Sequence, residues 1–204
     1  MSVALFSTAY FPPVAYMAAM MRYDEVLIEA KETFPKQTYR NRMVIMTAEG
    51  VRTLSVPTLR SNHSRTDEVG IDYKERWNVV QWRTLTAAYA ASPYFLYYRD
   101  DLKALLLARY ERLLDLNQAA MVWLLKKLKR ECRLTLTTDY RPDADEDYRT
   151  RFSPKVPLPA ASFPPYYQVF ADRQPFVPNL SVLDLLMNLG PEAKEYLIQL
   201  SNNG

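Results

Sequence analysis

The chain has very little cysteine, histidine and glycine, and each shortage removes a class of function. A single cysteine, Cys132, excludes an internal disulfide and a cysteine-rich metal site, and without a histidine partner it is a poor catalytic nucleophile. A single histidine, His63, argues against a histidine-based metal centre, and its loop setting predicts an ordinary surface residue. Four glycines cannot build the glycine-rich loops of dinucleotide-binding or P-loop folds. We therefore expect no metal and no cofactor.

Excess positive charge is also scarce. The 26 Lys and Arg residues face 23 Asp and Glu residues, which leaves a formal net charge of +3. Nucleic-acid binding usually needs a clustered basic face, so we expect no nucleic-acid partner. Residues 1–21 carry no charged side chain, but two prolines and two tyrosines interrupt this stretch. We therefore expect no transmembrane segment, and the low cysteine count favours the cytoplasm.

The hydrophobic pattern predicts an α+β fold with strands early and helices late. Strands are expected over residues 3–7 and 25–29, separated by a helix, and this crossover predicts that the two strands are parallel neighbours. Residues 43–46 and 51–56 predict a β-hairpin of the same mixed sheet, with Gly50 at its turn. A three-layer α/β arrangement is the alternative.

The second half of the chain is predicted to be mainly helical. Helices are expected over residues 74–91, from Asp100 or Asp101 onward, and after Asp115 and Asn117, which would mark a helix junction or cap. The aromatic residues 94–98 are expected to form a link. A later amphipathic helix is expected to begin after Ser181, a good N-cap residue.

A long irregular connection is predicted inside a single domain spanning residues 1–204. Residues 139–165 contain six prolines and a cluster of acidic side chains. Connections of this length without regular structure are uncommon in packed domains unless they have a role. The segment is expected to wrap the surface, cover a site or dock a partner.

The polar stretch after the second strand is the strongest candidate for a site. It consists of Lys36, Gln37, Thr38, Tyr39, Arg40, Asn41 and Arg42. Its cations, amide and phenol suit an anionic, oxygen-rich ligand such as a phosphate or a carboxylated sugar. A solvated turn that happens to be basic is the alternative.

The loops after parallel strands open at one edge of a sheet, where open sheets bind ligands. Tyr10 and Glu29 are therefore expected to lie near the basic stretch, although Tyr10 would also suit a buried turn. We expect Arg42 to be largely buried and to pair with Glu29, or with Glu25 as the alternative. Lys36 is either a phosphate contact or general acid, or a plain surface lysine.

A series of short motifs runs in order through most of the chain. They are Tyr10-Phe11-Pro12, Lys36 with Tyr39-Arg40-Asn41-Arg42, Leu54-Ser55-Val56-Pro57, Trp77 leading to Tyr89, Ser92-Pro93-Tyr94-Phe95, Leu114-Asp115-Leu116-Asn117 and Asn179-Leu180-Ser181-Val182-Leu183-Asp184-Leu185-Leu186. Together they resemble the WbqC-like family of bacterial proteins, which is associated with polysaccharide and O-antigen biosynthesis. Thr8, Ala9 and Gln81 depart from the Gln-Pro pair and the histidine that are usual there.

The resemblance implies an enzyme of surface-polysaccharide biosynthesis that modifies an amino or nucleotide sugar or transfers a group to it. The residues implied are Glu29 and Lys36 as catalytic groups, and Tyr10, Tyr39, Arg40, Asn41 and Arg42 as contacts to a sugar or phosphate-bearing ligand. The alternative is a non-catalytic glycan-binding or protein-binding partner in the same pathway. The three departures leave open whether the activity is altered or lost.

Overall fold

A three-stranded parallel sheet lies at the centre of the computed structural model, which describes residues 2–156 and 158–202, without the side chain of residue 161. Its strands β1 (Val3–Ser7), β2 (Glu25–Glu29) and β7 (Arg133–Leu136) are adjacent in the order β1-β2-β7. The predicted parallel pair β1–β2 is confirmed. The third strand, β7, pairs with β2 in the same direction and was not predicted. The carboxyl ends of all three strands therefore meet at one edge, called here the carboxyl edge.

The crossover from β1 to β2 is made by α1 (Val14–Met20). Pro13 precedes the helix, where a missing backbone donor costs little because the first amides of a helix have no partner within it. The Tyr16 hydroxyl donates to the backbone oxygen of Ser7 at 2.7 Å, which fixes the helix against the end of β1. The segment that leads from β1 into α1 therefore has a defined position at the carboxyl edge.

The remaining strands form two small antiparallel pairs. They are β3 (Arg42–Thr47) with β4 (Gly50–Ser55), and β5 (Thr58–Leu59) with β6 (Gly70–Ile71). Gly50 has φ of +113°, so it supplies the backbone conformation that the predicted hairpin turn needs. The strands of residues 2–156 and 158–202 form three separate sheets, not one mixed sheet. One reason is that the outer edge of β3 is occupied: the Val44 oxygen accepts a bond from the Ser181 amide at 2.7 Å.

Five helices follow, and the α+β class is confirmed. They are α2 (Trp77–Tyr89), α3 (Phe95–Leu107), α4 (Leu113–Lys127), α5 (Val182–Leu189) and α6 (Ala193–Asn202). The predicted cap at Ser181 is confirmed, since its Oγ accepts from the Leu183 amide at 3.3 Å. Within the described residues, no helix combines the length and hydropathy that a membrane span requires.

Two helix boundaries differ from the sequence prediction. The aromatic stretch 94–98 is the first turn of α3 and not a link, because Phe95 and Tyr98 lie one turn apart and are both buried. Asp100 and Asp101 therefore lie within α3 and do not cap it. The predicted junction at Asn117 is also wrong, since that residue lies inside α4 with its side chain buried.

The segment 139–165 is irregular, as predicted, apart from a short 3-10 turn at Ala160–Ser162. Pro157 lies outside the described residues. The segment is attached to β1, because the Leu5 amide donates to the Glu146 oxygen and the Tyr148 amide donates to the Leu5 oxygen, both at 2.8 Å. The Tyr148 ring also stacks on Phe6 with centroids 4.6 Å apart. The segment thus covers the outer edge of the parallel sheet.

Candidate functional site

Glu29, at the end of β2, is fully buried and is held by four groups of the protein itself. Its Oε1 accepts from the Thr137 hydroxyl at 2.7 Å and from the Lys31 amide at 2.9 Å. Its Oε2 accepts from the Arg141 amide at 3.0 Å and lies 3.6 Å from Nη1 of Arg149. A buried carboxylate needs such partners. Here they join β2 to the end of β7 and to the 139–165 segment.

The predicted ion pair between Arg42 and Glu29 is wrong. Arg149 is the cation beside Glu29, and it also binds Asp147 through Nη2 at 2.6 Å. Arg42 begins β3, which belongs to a different sheet from β2. It is half-buried and has no ion pair with any residue in the described ranges, and its buried Nε has no hydrogen-bond partner there. Glu25 is not its partner either, since that carboxylate accepts from the Thr135 hydroxyl.

Glu32 and Arg40 form a second, nearly buried ion pair in the loop after β2. Nε and Nη2 of Arg40 donate to Oε1 of Glu32 at 2.9 and 2.7 Å, and the two side chains are 6% and 13% exposed, respectively. Oε2 of Glu32 has no hydrogen-bond partner in the described part of the chain. Burial raises the pKa of the Glu32 carboxyl, Arg40 opposes this shift, and the charge of Glu29 adds to it. A carboxyl with a raised pKa and one free oxygen is suited to proton transfer.

Tyr10 joins this cluster from the turn after β1. Its amide donates to the Tyr39 oxygen at 2.9 Å, and its hydroxyl donates to Oε1 of Gln81 at 2.8 Å. Nε2 of Gln81 donates in turn to the Ser55 oxygen at 2.8 Å. Burial raises the pKa of Tyr10, so its hydroxyl stays protonated and acts as a donor. Tyr10 is both a buried turn aromatic and a neighbour of the basic stretch, so the two predicted alternatives hold together.

Asn117 brings α4 to the same place. Its Nδ2 donates to the Arg40 backbone oxygen at 2.8 Å and to the Thr8 hydroxyl at 3.1 Å. Because both amide hydrogens are used, the orientation of the amide is set by its partners. Its Oδ1 is enclosed and has no hydrogen-bond partner within residues 2–156 and 158–202. A polar side chain within an apolar helical stretch is the sequence signal for such a buried amide, although the same pattern also fits the predicted helix junction or cap.

The other predicted site residues have different positions. Nδ2 of Asn41 donates to the Val56 oxygen at 2.9 Å, so this amide supports the end of the hairpin. Tyr39 is half-buried, and burial raises the pKa of its phenol. Lys36 is exposed and makes no hydrogen bond or ion pair with the residues that the structure describes. The structure therefore brings Tyr10, Tyr39 and Arg40 together, whereas Lys36 lies at the surface.

The carboxyl-edge cluster is defined here as the buried or nearly buried polar residues that make these contacts at the ends of the parallel strands. Its members are Thr8, Tyr10, Glu29, Glu32, Arg40, Gln81, Asn117 and Arg149. Glu32 was not predicted as a site residue, although its acidic side chain precedes the basic stretch in the sequence. Gln81 and Thr8, which depart from the usual family residues, both lie in this cluster. Outside it, burial raises the pKa of the Cys132 thiol, which disfavours the nucleophilic thiolate.

The fold and the cluster define an α+β protein with a buried ionic centre at the ends of its parallel strands. Residues 8–156 and 155–196 match the sequence model of the WbqC-like protein family, so the chain belongs to this family. It is similar to "Uncharacterized protein Rv1507c" of Mycobacterium tuberculosis (strain ATCC 25618 / H37Rv), with 26% identity over 227 residues that cover 96% of each chain. No solved structure matches the chain. The matched ranges include every member of the carboxyl-edge cluster.

Proposed function

We propose that the protein is an enzyme of bacterial surface-polysaccharide biosynthesis that modifies an amino or nucleotide sugar or transfers a group to it. Membership of the WbqC-like family supports the pathway, because the family resemblance implies it. The observation that carries the proposal is the partly accessible Glu32, whose Oε1 is bound by Arg40 and whose Oε2 has no hydrogen-bond partner among the described residues.

Glu32 is the proposed general acid/base in place of Glu29. The four partners of Glu29 leave it buried and engaged, which suits a role in positioning the surrounding loops. Glu32 has a free oxygen and a pKa raised by burial, so it can hold a proton at a pH closer to neutrality than an exposed carboxyl can. Arg40 fixes the orientation of Glu32 through two hydrogen bonds.

The ligand contacts are proposed from the cations that have no ion pair among the described residues. The half-buried Arg42 guanidinium is suited to a phosphate or carboxylate oxygen, and Lys36 is an exposed cation of the same basic stretch. The buried Asn117 amide is assigned to positioning, because its Nδ2 binds the Arg40 oxygen and the Thr8 hydroxyl. The side chain of Asn41 is assigned to support of the site, because Val56 already engages its amide. The proposed location is the cytoplasm, in agreement with the single cysteine.

A thermal-shift screen against nucleotide sugars and activated acyl donors tests the proposal. We expect at least one nucleotide sugar to raise the melting temperature of the wild type and of Arg52→Ala, a matched control on the same hairpin. Arg42→Ala should lose most of that shift. Glu32→Gln should keep the shift and lose turnover. A flat screen, with folded wild type and variants equally silent, contradicts the proposal.

The second candidate is a non-catalytic partner that binds a glycan or a biosynthetic enzyme. Large exposed tyrosines support it, since Tyr97, Tyr167 and Tyr140 are 77%, 62% and 55% exposed and such side chains favour glycan and protein contacts. If the 139–165 segment docks a partner, residues 143–163 are nevertheless not removable, because Tyr148 and Phe163 are buried in the core. Ligand binding with no turnover in any assay, unaffected by Glu32→Gln, would favour this candidate.

A further inference from the structure

A cavity of about 200 Å³ lies between α1, α6 and the 139–165 segment. It is lined by small side chains of α1, by aromatic, leucine and proline side chains of the 139–165 segment and by Leu200 of α6, with Arg22 and Arg151 beside them. None of these residues belongs to the carboxyl-edge cluster. This volume is similar to that of an engineered apolar cavity of roughly 150 Å³ that binds benzene. A small ligand of about that size or slightly larger therefore fits.

The wall of this cavity is largely apolar, because alanine and aromatic side chains form much of it. α1 presents only methyl groups at Ala15, Ala18 and Ala19, and this short surface leaves the space. Phe152 and Tyr148 close one side as a stacked pair with centroids 6.1 Å apart. An apolar wall of this shape favours an alkyl or aromatic body, since burial of such a body removes apolar surface from water.

Two arginines border the same cavity. Arg22 and Arg151 are both exposed, and neither has a carboxylate within ion-pair distance among the described residues. The guanidinium of Arg151 lies over the Tyr148 ring at 5.3 Å, which holds it at the mouth of the cavity. No acidic side chain lines the cavity in the described residues. The charge at the opening is therefore positive and uncompensated, which favours an anionic head group.

We propose that this cavity binds a small carboxylate with an apolar body, of the chemical class of octanoate. The body lies against the alanines of α1 and the aromatic side chains of the 139–165 segment. The carboxylate lies at the mouth, between Arg22 and Arg151. This site is separate from the proposed sugar site and does not depend on it.

Isothermal titration calorimetry of the full chain tests the proposal with two probes that share a chain and differ in charge. Octanoate should bind saturably to one site, and octylammonium should bind at least about tenfold more weakly, because the arginines repel it. Phenylacetate tests whether an aromatic body can take the place of the alkyl chain. Absent binding of octanoate and phenylacetate, or equal binding of octanoate and octylammonium, overturns the proposal.

Substitutions in the lining test whether octanoate binds in this cavity. Ala19 is half-buried, so Ala19→Leu should fill the space and abolish octanoate binding in a folded protein. If that variant does not fold, Arg22→Gln and Arg151→Gln provide the test, because substitutions of these exposed side chains should not prevent folding. Each should weaken octanoate at least about threefold, and Arg173→Gln, an exposed control outside the lining, should not. Unchanged octanoate affinity in folded Ala19→Leu or in both arginine variants contradicts the site. Glu32→Gln, which alters only the proposed sugar site, should leave octanoate binding unchanged. The two proposals can therefore fail independently of each other.

Discussion

Arg149 faces Glu29 across the carboxyl edge, with Nη1 3.6 Å from Oε2 and both side chains almost completely buried. The two residues come from β2 and from the segment 139–165, so their contact fastens that long segment to the centre of the sheet. Asp147, whose side chain is 33% exposed, binds the same guanidinium at 2.6 Å from the solvent side. The 139–165 segment has no helix or strand pattern in its sequence, and it nevertheless supplies the cation that lies beside the buried Glu29.

Removal of the Glu29 carboxylate should be strongly destabilising. In Glu29→Gln only one of the two side-chain positions can still accept, so the donors at the other position, such as the Arg141 amide, lose their buried acceptor; this costs about 1–3 kcal/mol, and more beside the Arg149 charge. Urea denaturation measures the loss in the free energy of unfolding. Arg42→Met is the control and should cost less than about 1 kcal/mol, because Arg42 has no ion pair with the described residues. A loss below about 1 kcal/mol for Glu29→Gln would show that the pair is not a buried anchor.

Deletion of residues 143–163 should abolish cooperative folding. The deletion removes Tyr148, which is 3% exposed and stacks on Phe6, and it also removes the Arg149 guanidinium. Loss of a buried aromatic side chain alone typically costs about 3–5 kcal/mol. Circular dichroism during thermal unfolding is the measurement. Val156→Ser, at a 68% exposed position in the same segment, should leave the melting curve unchanged. A cooperative transition in the deletion variant would contradict this prediction.

The hydrogen bond between Tyr10 and Gln81 should contribute measurably to stability. Tyr10→Phe removes the hydroxyl and leaves Oε1 of Gln81 buried without a donor, at a cost of about 1–3 kcal/mol. Tyr97→Phe is the matched control, because this side chain is 77% exposed, and its effect should stay within about 0.5 kcal/mol. Chemical denaturation of both variants gives the comparison. Equal effects would mean that the Tyr10 hydroxyl is not engaged as described.

The pH dependence of stability should carry a contribution from Asp184. Its carboxylate is buried in α5 and accepts from the Tyr166 and Tyr89 hydroxyls at 2.7 and 3.0 Å. Burial raises its pKa, and the hydrogen bonds from Tyr166 and Tyr89 oppose that shift. Between the ordinary pKa of about 3.9 and the raised value, the folded state keeps a proton that the unfolded state releases. Folding is therefore favoured most at low pH, and this contribution is lost as the pH rises through the raised pKa.

Asp184→Asn removes that titration and tests it. The free energy of unfolding of the wild type, relative to that of the variant, should fall as the pH is raised from about 4. Urea denaturation at several pH values measures the difference. Asp172→Asn, at an exposed position, should show no such trend. A difference that is flat, or that grows with pH, would contradict the raised pKa.

Strong local patterns made much of the fold predictable from the sequence. β1 and β2 have the predicted bounds, because each is a short apolar run and the helix between them permits only a tight parallel crossover. The start of α3 was missed because aromatic residues have no strong helical preference. Its first turn is set by the burial of Phe95 and Tyr98 in the core. Tertiary packing decides such a boundary, and the local sequence does not encode it.

The proximity of Tyr10 to the basic stretch was predictable from the sequence, but the side-chain pairing was not. Tyr10, Tyr39 and Arg40 converge as expected, because the loops after parallel strands open at one edge. The cation for Glu29 comes from Arg149, far along the chain, in a segment with no strand or helix pattern. β7 was also missed, although its Arg-Leu-Thr-Leu sequence alternates polar and apolar residues, because four residues are a short pattern and its pairing with β2 joins distant parts of the chain. Long-range partners of this kind follow from the assembled fold.

The proposed function requires Arg42 to bind the anionic part of a sugar ligand whose reacting group lies near Glu32. Isothermal titration with the nucleotide sugar that gives the largest thermal shift tests this most directly, in the wild type, Arg42→Ala and Arg52→Ala. We predict that Arg42→Ala weakens binding at least about tenfold, or about 1.4 kcal/mol, and that Arg52→Ala binds as the wild type does. Equal affinity in all three folded proteins would contradict the claim.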